Sequence, residues 1–75
     1  MTPKLSSISG QEVVKALQKI GFTHIRTKGD HSFLFNEKNG KTVTIPLKKR
    51  LSKGVVGSIV RMSGISREEL EELIS

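Results

Sequence analysis

The sequence predicts an α+β domain: one helix, three antiparallel strands, a second helix and a short third helix, with the helices on one face of the sheet. Three observations carry this. Ser9 and Glu12 form a capping-box pair ahead of apolar residues at helical spacing. The middle of the chain is rich in aromatic and β-branched residues and is punctuated by turn signals at Gly29 and Asn39-Gly40. Ser52 and Ser66 each stand just before a further helical stripe.

The elements follow in order. Residues 1–8 read as a loose lead-in to a single domain spanning 1–75. From Ser9 the first helix places Val13, Val14, Leu17 and Ile20 on one face, and Gly21 stops it. Strands are expected at 22–27, 31–36 and 41–45, the last two joined by a hairpin at Lys38-Asn39-Gly40 and the third ended by Pro46. Ser52 caps a second helix over 53–63, with Val55, Ile59 and Met62 on one stripe; Gly57 inside it points to close packing, and Gly64 ends it. Ser66 and Glu69 form a second capping box, followed by Leu70, Leu73 and Ile74.

Two registers suit the first hairpin. A two-residue turn at Gly29-Asp30 sets Arg26 opposite Phe33 and His24 opposite Phe35. A three-residue turn, Lys28-Gly29-Asp30, sets Ile25 opposite Phe33. A slip of one residue sends every side chain to the other face, so the apolar pattern is the arbiter. It favours the three-residue turn, which buries Ile25, Phe33, Phe35, Val43 and Ile45. The open face then carries His24, Arg26, Ser32, Leu34, Thr42 and Thr44, without the aromatic platforms of an RRM-like binder. His31 falls at the rim of the core side.

Bulk properties narrow the function. Seventy-five residues bury only roughly 60% of their unfolded surface. The absence of cysteine removes disulfides, thiolate chemistry and cysteine-ligated zinc, and two histidines with scattered acids give no metal-ligand spacing. No apolar run is long enough to span a bilayer and no signal peptide opens the chain, so a cytoplasmic protein without cofactor or membrane partner is expected. The net charge is +6. Residues 1–65 hold twelve of the thirteen Lys and Arg against three of the seven acids. A body this basic points to a polyanionic partner, although a merely soluble surface explains the same charge.

The residues with chemistry cluster at the first turn. Metal-free RNA cleavage needs proton transfer and positive charge at the phosphorane; histidine serves for the first, Lys or Arg for the second. His31 stands beside Lys28 and Gly29 in the turn, with Arg26 in the neighbouring strand. From composition alone, an ordinary partly buried strand histidine is the stronger reading. His24 reads as a solvated surface residue, and Asp30 as a turn residue first and a modulator of His31 second. Lys48, Lys49, Arg50 and Lys53 crowd a helix N-terminus, where the helix dipole disfavours cations. Either an anion docks there, with Ser52 and the free N–H groups as donors, or these are outward-pointing lysines of a solvated loop.

Gly21-Phe22, Arg26, Lys28-Gly29-Asp30-His31, Phe33, Val43-Thr44-Ile45-Pro46, Leu51, Lys53-Gly54, Ser58-Ile59 and Gly64-Ile65, taken in order, resemble the HicA family of mRNA interferase toxins. The resemblance runs from about Gly10 to the C-terminus. It implies a double-stranded-RNA-binding-domain-like (dsRBD-like) fold, ribonuclease activity on mRNA, a catalytic histidine at His31, and neutralisation by a HicB antitoxin. Many members carry serine where this chain has Asp30. The reading that results is a type II toxin, a metal-independent endoribonuclease. His31 acts as general acid/base, Lys28, Arg26 and Gly29 support the phosphate, and Lys48, Lys49, Arg50, Ser52 and Lys53 hold the RNA backbone. The alternatives are a non-catalytic double-stranded RNA-binding module on the same fold, and a protein-interaction domain whose basic face docks an acidic partner.

Overall fold

The computed structural model describes residues 8–74. Its elements are α1 (Gly10–Gln18), β1 (Phe22–Lys28), β2 (His31–Asn36), β3 (Lys41–Pro46), α2 (Lys53–Ser63) and α3 (Arg67–Ile74). The antiparallel sheet has the order β1-β2-β3, so β2 is central. Helices α1 and α2 pack on the same side of it, and α3 closes against both. This is the α+β arrangement expected, and it is consistent with a dsRBD-like fold.

Local chemistry places the helix ends. Both halves of the Ser9–Glu12 capping box form, at 2.9 and 3.2 Å. Ser52 Oγ accepts the Val55 N–H, Gly64 ends α2 in the left-handed region, and Ser66 Oγ accepts the Glu69 N–H. Gly57, expected to mark close packing, does not: a Cβ there would meet only the Arg67 guanidinium, at an ordinary 3.8 Å. The close approach is at Gly10, where a Cβ would collide with the Pro46 carbonyl oxygen. That approach comes from a backbone link, Gly10 N–H to Lys48 O at 2.9 Å, seconded by Leu51 N–H to Ile8 O at 2.8 Å. Ile8 is therefore core rather than lead-in, only 2% exposed; residues 1–7 lie outside the described residues.

The strand register corrects the expectation. Lys28 pairs with His31, Thr27 with Ser32 and Arg26 with Phe33, so the turn is the two-residue Gly29-Asp30, with Gly29 at φ 62°. A bulge at Ile25 then shifts the ladder, and His24 pairs with Leu34 rather than Phe35. Directly paired residues share a face. The buried face of the sheet therefore consists of Phe22, Ser32, Leu34, Asn36, Val43 and Ile45. Ile25, expected in the core, is 56% exposed on the bulge. Phe33 and Phe35, also expected inside, are half-buried on the helix-free side with Thr44 and Thr42 as partners. The second hairpin is a four-residue loop, in which Gly40 N–H bonds Asn36 O and only Gly40 takes a positive φ.

The buried polar residues are all bonded. Asn36 Oδ1 accepts the Lys38 N–H, Ser63 Oγ donates to Val60 O, and Ser32 Oγ lies 3.4 Å from Thr27 Oγ1. An unpaired group in so small a core would cost about 1–3 kcal/mol.

Candidate nucleic-acid interface

The registers of the two hairpins together decide where the chemistry sits. His31 shares parity with Phe33, so it belongs to the helix-free face and not to the rim of the core side. Lys28 stands opposite it across the turn, and Arg26 follows on the same face with its guanidinium 5.5 Å from the centre of the Phe33 ring. Of the residues singled out from the sequence, His31, Lys28 and Arg26 thus come together. Gly29 forms the turn between them.

Asp30 is the residue whose role the sequence understated. It lies in the turn, outside the alternation of the strand, and its Oδ1 is 2.9 Å from His31 Nδ1. A carboxylate only accepts, so Nδ1 carries a proton and, in the neutral ring, Nε2 is the basic nitrogen. Nε2 has no hydrogen-bond partner among the described residues. The His31 side chain is 48% exposed. The turn itself is anchored: Leu47 N–H bonds Asp30 O at 2.6 Å, and Pro46 is the strand partner of His31.

The basic loop leaves from this anchored end. Lys48, Lys49 and Arg50 are exposed between β3 and α2, and Lys53 is the first residue of α2. The first turn of α2 has no acidic residue to offset these cations. The Ser52 hydroxyl is engaged as the helix cap, which leaves its O–H as the donor toward an anion.

His24 parts company with this group. The bulge turns it to the helix side, where Nε2 meets Thr27 Oγ1 at 2.8 Å and thereby the buried Ser32. It borders a cleft of about 270 Å³ between α1 and the sheet, with Gln11, Val14, Lys15, Gln18, Ser32 and Leu47. The sequence carried no sign of this, because the register that puts His24 there depends on a bulge.

Among the described residues no three His, Cys, Asp or Glu come together to hold a metal ion, and no helix is long and apolar enough to cross a membrane. The family described as the HicA toxin of bacterial toxin-antitoxin matches residues 10–65. The chain belongs to the HicA toxin family. The match takes in α1, the whole sheet and α2, and ends ahead of α3. Membership of the HicA toxin family makes the chain the toxin component of a toxin-antitoxin system, which implies an antitoxin partner. No curated protein sequence matches the chain significantly.

Proposed function

We propose that this HicA-family chain is a metal-independent endoribonuclease that cleaves mRNA with His31 as general acid/base. The observation that carries the reading is the Asp30–His31 pair, 2.9 Å apart on an exposed turn beside Lys28. With Nδ1 held by the carboxylate, Nε2 takes the proton of an RNA 2′-hydroxyl. The 2′-oxygen attacks the adjacent phosphorus and the 5′-oxygen leaves with a proton from water, while the imidazolium returns the proton it took to the solvent. The products are a 2′,3′-cyclic phosphate and a 5′-hydroxyl. Lys28 and Arg26 offset the charge that builds on the phosphorane oxygens, and Gly29 leaves room for the phosphate to approach the turn backbone. The exposed cations at Lys48, Lys49, Arg50 and Lys53, with the Ser52 hydroxyl, hold backbone phosphates on either side.

The antitoxin partner in this reading is a HicB-like protein that covers the same surface. The site of action is cytoplasmic mRNA.

His31→Ala should lower the cleavage rate by about 10²–10⁴-fold while RNA affinity and folding stay close to the parent's. EDTA should leave the parent's rate unchanged, and end-group analysis should find the cyclic phosphate. Undiminished cleavage by purified His31→Ala protein would remove the assignment. RNA binding without any cleavage by the parent chain would favour the non-catalytic binding module instead.

A further inference from the structure

On the helix-free face of the sheet the central strand presents His31, Phe33 and Phe35 in a single row. We infer that this row is a base-stacking platform that leads single-stranded RNA to His31. The inference rests on the ribonuclease reading and goes beyond it by naming the strandedness of the substrate and the side chains that grip it.

The placement of the two rings is the starting point. A strand this close to two helices has an obvious use for phenylalanine in the core, yet the core side of β2 carries Ser32, Leu34 and Asn36. Among the described residues no helix covers the side on which both rings stand, and each is half-buried rather than enclosed. Their partners on β3 are the short side chains Thr44 and Thr42, and from the β1 side the Arg26 guanidinium lies over the Phe33 ring. Flat aromatic faces on an open sheet are what unpaired bases stack on, and this stacking is indifferent to sequence because every base has a π face.

Spacing favours a single strand. Residues two apart on a strand are separated by roughly 6.6 Å. Bases in a duplex lie about 3.4 Å apart along each strand and stack on one another, with no face free for a side chain. Rings in the step of Phe33 and Phe35 suit bases that are splayed apart.

Charge selects a nucleic acid over an apolar partner. Arg26 reaches over Phe33, and Lys28 faces His31, so cations line the β1 side of the row. A strand with one base on the Phe35 ring and the next on the Arg26 guanidinium that Phe33 supports would run its phosphates past Lys28 and bring the next sugar to the His31 ring.

The chain contains no tryptophan or tyrosine, which makes a single introduced tryptophan a clean reporter. The experiment uses the His31→Ala protein, so that RNA stays intact, with a short unstructured single-stranded RNA and a duplex RNA as probes. Phe33→Leu and Phe35→Leu should each weaken single-strand binding roughly tenfold with an unchanged salt slope. They should leave duplex binding unaltered. Phe35→Trp should bind the single strand at least as tightly as its parent, and RNA should quench its fluorescence. Thermal melts establish that the Leu variants fold; should they not, the Trp variant decides alone. Leu variants that bind like their parent, or a tryptophan that saturating RNA leaves unquenched, overturn the platform. A tryptophan that responds only to an added acidic antitoxin makes the face a protein interface and overturns it too. Cleavage by the wild-type chain alongside any of these results leaves the ribonuclease reading standing. Failure of the wild-type chain to bind or cut either RNA overturns both.

Discussion

A carboxylate beside an imidazole determines which ring nitrogen carries the proton, and at His31 that carboxylate comes from the preceding turn residue. Asp30 touches no substrate in the proposed reaction; it holds the ring so that Nε2 faces outward as a base. Asp30→Ala should therefore lower kcat by roughly ten- to a hundredfold, the scale of removing an orienting hydrogen bond behind a working histidine, and leave KM alone. Equal kcat in parent and variant would show that the carboxylate only completes the turn. The Asp30–His31 bond is only half legible in the sequence. Adjacent strand residues point to opposite faces, which predicts that Asp30 and His31 diverge. Asp30 escapes that rule because β2 begins after it. His24 shows the converse: it is exposed, as read, but on the helix side of the sheet, where the bulge brings it to Thr27.

Among the elements, the caps are the most readable features and the strand faces the least. A capping box is a local pattern, satisfied within four residues, and Ser9–Glu12 forms as written. The face of β2 is a different matter. His-Ser-Phe-Leu-Phe-Asn offers two apolar sets of opposite parity, Phe33 with Phe35 and Leu34 alone. Alternation identifies the sets but does not say which one meets the helices. That choice goes with the four-residue loop 37–40, which pairs Leu34 with Val43 and Ser32 with Ile45, while the two-residue turn and the Ile25 bulge fit β1 to the same faces. Gly10 is another feature without a local signature, since the carbonyl it accommodates belongs to Pro46. Gly10→Ala should cost about 1–3 kcal/mol, because the collision is with backbone that cannot rotate away. Denaturant unfolding measures this; a variant as stable as the parent would mean that α1 shifts freely against the β3–α2 connection.

Across the molecule as a whole the charge is asymmetric, with twelve of the thirteen Lys and Arg in residues 1–65. The exposed cations of residues 48–50 leave the sheet beside the strand partner of His31, so a polyanion at the turn lies near them. Changing Lys48, Lys49 and Arg50 to alanine should weaken RNA binding and flatten the slope of log affinity against log salt. On a single strand the slope should fall by up to about 0.7 for each phosphate no longer neutralised. An unchanged slope would make the loop a bystander. The same surface would attract an acidic antitoxin, with fast and salt-dependent association. If the partner works by covering the turn, His31 should be protected from diethyl pyrocarbonate in the complex. Full reactivity of His31 in an inhibited complex would mean that inhibition acts at a distance.

The kind and order of the elements, the helix ends, the basic balance of the body and the family of the chain can all be read from the residues in a row. Each of these is written in local spacing, in composition or in an ordered set of motifs. That His31, Phe33 and Phe35 share the helix-free face, and that His24 does not, emerges only once the chain is folded, because a period of two is blind to which side is covered. The same holds for Ile8 as a core residue and for Gly10, not Gly57, as the tight glycine. Both answers lie in the backbone link between residues 8–10 and 48–51, segments far apart in sequence that meet only when α1 packs beside the β3–α2 connection.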